Sequence, residues 1–148
     1  MKYSFLPINL EMLDVISLWR YKGKMKRIYL QPYYDNYNPL TKETLGPADC
    51  FGFGVYDGER LIGLFEYYFF DEVMEIGLAI APELIGKGKS KTFILEGIAF
   101  GIKTYEYQLP FVQLHVDIDN ESARIAYQKA GFKEVSKENN EILMKYYL

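Results

Sequence analysis

The stretch "EIGLAIAPELIGKGKSKTFIL", Glu75 to Leu95, decides how the chain is read. An apolar segment runs into Pro82, and the six residues "IGKGKS" (Ile85 to Ser90) then hold two glycines, two lysines and a hydroxyl. After them Phe93, Ile94, Gly97, Ile98, Gly101 and Ile102 recur at helical spacing on one face. A strand, a glycine-rich turn and a helix make the local plan of a phosphate-binding loop. The first amides of a helix have no intrahelical partner, and its dipole favours an anion there.

Three loops of that kind compete. A nucleotide-triphosphate loop needs G-x-x-x-x-G-K-[ST], and Gly88-Lys89-Ser90 supplies its second half, but Glu83 stands where the first glycine belongs. A carboxylate in a phosphate nest excludes it. A dinucleotide fingerprint finds Gly86 and Gly88 but meets Lys91 in place of its third glycine, after strands that read as a hairpin. The third plan asks only that amides at the helix start face a diphosphate. A plain turn with solvated lysines fits the hexapeptide equally well.

Working outward, "FGFGVYDGERLIGLFEYYFF" (Phe51 to Phe70) reads as a hairpin about Asp57-Gly58, and Asp71-Glu72 turns into a third strand, "VMEIGLAIA". Gly77 inside that strand predicts a bulge or a close approach to the backbone. Upstream, Tyr3 to Leu6 predicts a short strand. Asn9 then caps a helix running to about Arg20, with Leu10, Leu13, Ile16 and Leu18 on its apolar stripe beside Trp19. A short helix is expected near Met25 to Leu30, and then a long loop to Cys50. Downstream, "FVQLHVDI" alternates as a strand, with Val112, Leu114, Val116 and Ile118 opposite Gln113, His115 and Asp117. Asn120 caps the helix "ESARIAYQKA", Gly131 ends it, and a hairpin about Asn139-Asn140 closes the chain. The expected fold is α/β: helices on a largely antiparallel sheet.

Composition narrows the function classes. The chain's 148 residues, 49% hydrophobic and 25% charged, suit one domain spanning residues 1–148. Seventeen basic against twenty acidic residues argue against a nucleic-acid or anionic-membrane binder, even with the Lys87, Lys89, Lys91 patch. The single cysteine excludes an intrachain disulfide. Glu11 and Asp14 interrupt the N-terminal apolar run before it reaches signal or membrane-span length, so a cytoplasmic protein is expected.

Taken with "LHVDIDNESARIAYQKAGF" (Leu114 to Phe132), the opening stretch resembles the GNAT superfamily of acyl-CoA-dependent N-acetyltransferases. Their signature is a strand, a [QR]-x-x-G-x-[GA] loop, a helix, a strand, then N-x-x-[AS]-x-x-x-[YF]-x-x-x-GF. Asn120, Ala123, Tyr127, Gly131 and Phe132 keep the second half; in the first, Ile85 replaces the usual Gln or Arg and Ser90 the last small residue. The resemblance implies a GNAT-like mixed sheet flanked by helices, with splayed fourth and fifth strands, and acetyl-CoA as cosubstrate without a metal. The thioester arm would run along Leu78, Ala79 and Ile80. Residues Ile85, Gly86, Lys87, Gly88, Lys89, Ser90 and Lys91 would surround the diphosphate, and Asn120 would add a side-chain contact if it is more than a helix cap.

It further implies direct attack by an amine in a ternary complex, with no acyl-enzyme. An amide near Ala79 and Ile80 would face the carbonyl oxygen. Tyr127 would be the acid, though it also fits a core stripe with Ala123, Ala126 and Ala130. For the base, His115 occupies the position where N-terminal acetylating relatives carry a glutamate, although a lone strand histidine is often structural. Glu75 is its rival, and Glu66 and Asp117 are further candidates. The acceptor, a small molecule or a protein N-terminus, would bind among the N-terminal helices and the Tyr29 to Tyr37 loop, where Trp19 and the tyrosines form either a wall or core. A homodimer is compatible. A catalytically silent acyl-CoA-binding regulatory domain is the alternative function.

Overall fold

Short turns and one crossover order the sheet. The computed structural model describes residues 1–22 and 27–148. Its strands are β1 (Ser4–Pro7), β2 (Phe51–Asp57), β3 (Arg60–Phe70), β4 (Val73–Ile80), β5 (Phe111–Asp117), β6 (Lys133–Glu138) and β7 (Glu141–Tyr147). Its helices are α1 (Leu10–Ile16), α2 (Gln31–Asp35), α3 (Ser90–Thr104) and α4 (Glu121–Ala130). The strands form one seven-stranded sheet in the order β1-β2-β3-β4-β5-β7-β6. The β1–β2, β2–β3, β5–β7 and β6–β7 pairs are antiparallel. The β4–β5 pair is parallel and is bridged at one register position, Glu75↔Gln113, against seven between β5 and β7. This is the expected mixed sheet flanked by helices.

Contacts divide the chain into two compact units. The first comprises Met1–Tyr68 and Gly77–Gly86. Its core gathers Met12, Leu13 and Ile16 of α1, Trp19, Leu30, Tyr33 of α2, Cys50, Leu64 and Ala81. Asn9 caps α1 as expected, its Oδ1 accepting from the Met12 N–H at 2.9 Å. The helix stops at Ile16 rather than near Arg20, where the Ser17 hydroxyl donates to the Asp14 carbonyl at 2.7 Å. Leu18 therefore leaves the helical register and is exposed, as is Leu10; Met12 takes the inward place instead. The helix expected near Met25 to Leu30 lies partly outside the described residues. Residues 27–30 are not helical, and the helical turn begins at Gln31.

The β2–β3 turn also differs from expectation. Asp57 pairs with Arg60, so Gly58 and Glu59 are the turn residues, and only Gly58 takes a positive φ, +62°. That is the pattern of a II′ turn, which needs one left-handed residue.

The second unit comprises Phe69–Ile76 and Lys87–Leu148. Val112, Leu114 and Val116 of β5 are buried with Ile142 and Met144 of β7, and α3 buries Phe93, Ile94, Gly97, Ile98 and Gly101. The expected stripes hold here, except that Ile102 and Ile118 are only half-buried, Ile118 lying beyond the end of β5. Asp71-Glu72 and Asn139-Asn140 both place two residues at positive φ, as I′ turns require. Gly131, at φ +115°, ends α4; its amide donates to the Tyr127 and Gln128 carbonyls. A side chain there would also press on the Tyr146 ring, 2.9 Å from a Cβ.

Candidate functional site

At the start of α3, the Pro82–Leu84 turn delivers the chain to an exposed loop. Gly86 and Gly88 sit at φ +77° and +75°, and nothing lies within 4 Å of the space a Cβ would occupy at either. Only glycine adopts that backbone cheaply. Lys89 precedes the helix without a side-chain cap, and no acidic residue occupies the first turn. The first intrahelical bond runs from the Phe93 N–H to the Lys89 carbonyl at 3.1 Å. The amides of Ser90, Lys91 and Thr92 thus lie ahead of the hydrogen-bonded ladder, flanked by three lysines. Uncapped donors, positive dipole end and cationic side chains fit a diphosphate. Ile85 is exposed and adds no polar contact.

Along β4, burial alternates through Met74 and Ile76 and resumes at Ala79 and Ala81, one residue out of phase. Gly77 and Leu78, both half-buried, mark the slip. Gly77 is the close approach its presence predicted: a Cβ would stand 3.3 Å from Glu66 Oε1 and 3.3 Å from the Tyr68 ring. Ile80 departs from a bare strand edge, since its carbonyl accepts from the Tyr21 hydroxyl at 2.7 Å. Of the three residues expected along the thioester arm, then, Ile80 has already committed its carbonyl.

In the second unit, the Glu75↔Gln113 bridge aligns three polar side chains. Glu75 Oε1 is 3.0 Å from His115 Nδ1 and accepts from Gln113 Nε2 at 3.0 Å. The histidine side chain remains 40% exposed while that of Glu75 is 17% exposed, so the carboxylate fixes the ring from within and the ring faces outward. His115 lines a hollow of about 280 Å³ with Ser136, Glu138, Asn139, Glu141 and Leu143. The two base candidates are therefore one hydrogen-bonded pair. Asp117 is occupied elsewhere, accepting from the Asp119 N–H at 2.8 Å.

Asn120 is a helix cap: its Oδ1 accepts from the Ala123 N–H at 3.3 Å and from the Ser122 hydroxyl at 3.4 Å. Tyr127, two turns on, packs edge-on to Phe132 with centroids 5.8 Å apart. It keeps some accessible surface, and its hydroxyl has no hydrogen-bond partner among the described residues. Burial alone pushes this phenol up to about 12, so it holds its proton at neutral pH.

Sequence reasoning passed over one assembly. In the first unit Glu66 Oε2 accepts from the Tyr33 hydroxyl at 2.6 Å and lies 3.6 Å from Cys50 Sγ, while Oε1 accepts from the Tyr68 hydroxyl at 3.1 Å. Burial raises the Glu66 carboxyl above its usual range, against the pull of these three donors. Burial and then the charge of Glu66 push Tyr33, Tyr68 and Cys50 upward, the thiol to about 12. The legible signal was glycine: a Cβ at Gly46 or Gly52 would collide with the Tyr33 ring. Trp19 and Tyr33 are core, whereas Tyr29 is exposed. Among the described residues no group of His, Cys, Asp and Glu is suited to a metal, and no helix is long and apolar enough to cross a membrane.

Comparison with known proteins places this geometry. Residues 17–132 match the Acetyltransferase (GNAT) family. No curated protein sequence matches the chain. Among solved structures, a chimera of Vibrio cholerae spermidine N-acetyltransferase SpeG with hSSAT is similar at TM-score 0.71 and 22% identity, covering 99% of this chain and 96% of that one. The Legionella pneumophila aminoglycoside N(6′)acetyltransferase is similar at TM-score 0.73 and 17% identity, over 99% and 92%. Campylobacter jejuni N-acetyltransferase PseH in complex with acetyl coenzyme A matches at TM-score 0.70 and 17% identity, over 98% of each. At these identities the structures attest the fold, and the family match covers most of the chain. The chain belongs to the GNAT family of acetyltransferases.

Proposed function

We propose that residues 1–148 form one acetyltransferase domain that transfers the acetyl group of acetyl-CoA to a primary amine by direct attack in a ternary complex. The observation that carries this reading is His115, held by Glu75 and opening onto a hollow lined by Glu138 and Glu141. An amine arrives as a cation and must lose a proton before it can attack, so a titratable base in an acidic hollow is the chemistry it needs. The similar solved structures include enzymes named for spermidine and aminoglycosides, both amines.

Acetyl-CoA supplies an activated thioester. Amides at the start of α3, with Lys87, Lys89 and Lys91, hold its diphosphate through the glycine-made opening. The backbone at Leu78, Ala79 and Ile80 lies along its arm, with the amide near Ala79 and Ile80 donating to the carbonyl oxygen as it gains charge. Glu75 accepts a hydrogen bond from His115 Nδ1–H, which leaves the Nε2 lone pair to take the amine's proton. Tyr127, whose phenol is pushed up to about 12, stays protonated at neutral pH and so can donate to the departing sulfur as charge develops on it. Asn120 keeps α4 in register with it.

Thiol release over a panel of small amines, amino acids, aminoglycosides and peptide N-termini tests the reading. Intersecting initial-rate lines are expected; parallel lines would replace the ternary complex by an acyl-enzyme. Acetyl-CoA binding with no release across the panel would leave the silent regulatory domain as the better account.

A further inference from the structure

β6 stands last in the sheet order, so one of its edges meets β7 and the other meets no strand. All six of its residues are exposed, Val135 at 47%. Among the described residues its backbone bonds only to β7. That pairing is electrostatically poor at both ends. Lys133 lies opposite Lys145 and Glu138 opposite Glu141, and like charges directly across a strand pair repel. Lys133, Lys137 and Glu138 join no ion pair among the described residues, while Glu134 has Arg124 at 3.1 Å.

The charges of this edge, KEVSKE, are ordered by a slip in the ladder. Register shifts between Glu134 and Ser136, so Val135 is stepped over. Lys133, Ser136 and Glu138, opposite Lys145, Leu143 and Glu141, therefore share one face, and Glu134 and Lys137 share the other. Turning the strand end for end about Ser136 lays Lys133 on Glu138 and Glu134 on Lys137. Each match is opposite in charge and falls on a common face. Without the slip Lys133 and Glu138 would point to opposite faces, and the match would be lost.

We propose that β6 is a homodimer interface, pairing antiparallel with β6 of a second copy about a two-fold axis at Ser136 and joining two sheets into one. Lys133 of each copy faces Glu138 of the other, and Glu134 faces Lys137, so both ends of the strand gain the opposite charge that β7 withholds. The same patch serves both copies, which closes the assembly at two chains. Charged edges turn away foreign strands, and a shifted register forfeits these pairs, so the residues that admit a second copy also exclude other partners. The contact is small, and a dissociation constant of about 10–100 µM is expected.

Sedimentation equilibrium tests the interface. The wild type should pass from monomer to dimer across about 1–500 µM and weaken at least about 3-fold between low salt and about 0.5 M salt. Lys133→Glu with Lys137→Glu makes the edge wholly acidic, and Glu134→Lys with Glu138→Lys makes it wholly basic. Each double variant alone should self-associate at least about 10-fold more weakly, and an equimolar mixture should recover dimer to within about 3-fold of the wild type. Ser136→Cys carries the test if either double variant fails to fold. A thiol on the axis meets its own copy, so mild oxidation should link two chains, whereas Lys137→Cys, facing Glu134, should stay unlinked. The native Cys50 is buried and does not compete. A monomer at every concentration, a dimer that survives both charge reversals, or Lys137→Cys linking as readily as Ser136→Cys overturns the interface.

Discussion

Glu66 and Glu75 are the same residue in two different settings. Glu66 is buried among neutral donors, the hydroxyls of Tyr33 and Tyr68 and the Cys50 thiol, and its carboxyl is raised by that burial. Glu75 is half-buried beside Gln113 and His115, a ring that reaches solvent. The first setting holds a carboxyl whose charged form burial disfavours, and the second pins a ring that water reaches. Neither role is a property of glutamate. Each follows from which donors surround the carboxylate and whether water reaches them.

The contrast can be broken by stability measurements. Glu66→Ala strands two buried hydroxyls and leaves a cavity, so urea denaturation should show a loss of about 3 kcal/mol, whereas Glu75→Ala should cost under about 1 kcal/mol. Equal losses would mean that the two sites are alike. The same pair differs in pH dependence. A carboxyl raised in the folded state adds stability below its unfolded value of 4.5, and that contribution fades as pH rises through the raised folded value. The wild type should therefore lose stability relative to Glu66→Gln on going from pH 4 upward toward neutrality, and a flat difference would contradict the raised carboxyl.

Kinetics sharpen the other side. Tyr127→Phe should lower kcat about 100-fold with acetyl-CoA affinity nearly unchanged, and unaltered turnover would remove its role as acid. A fall of similar size is expected for His115→Ala, together with a flattened acidic limb of the pH–rate profile. Its stability should barely move, because the ring is partly exposed. If the limb persists, Glu75 acts without the ring. A smaller effect is expected at the loop: Gly88→Ala forces a side chain into φ +75°, costing about 1 kcal/mol and weakening acetyl-CoA several-fold. The least is expected from Arg60→Ala. It breaks an exposed 2.8 Å pair with Glu83, worth under about 0.5 kcal/mol after solvent screening. A backbone hydrogen bond first and then Arg60 lower the Glu83 carboxyl, so the pair's small contribution is present at neutral pH and disappears as pH falls through the lowered value.

Local rules carried well where a residue acts on its own neighbours. The Asn9 and Asn120 caps, the Gly131 helix end, the Asn139-Asn140 hairpin and the α3 stripe are interactions within a few positions along the chain, so spacing reveals them. Expectations failed where distant packing intervenes. No glycine or proline marks the end of α1 at Ile16, and spacing cannot tell Met12 from Leu10 as the inward residue. The candidate site divides the same way. The loop and Tyr127 lie in a contiguous motif, while Glu75 and His115, 40 positions apart, became one pair only when β4 and β5 aligned.

Residue order by itself determined the family signature, the glycine opening at the head of α3 and the alternation of strands and helices, because each depends on periodicity or on backbone angles that few residues accept. Tertiary structure alone decided that two candidate bases would share a hydrogen bond, and that a third would be enclosed by tyrosines from α2 and β3. Burial and hydrogen-bond partners are set by which surfaces meet, and no spacing along the chain records that.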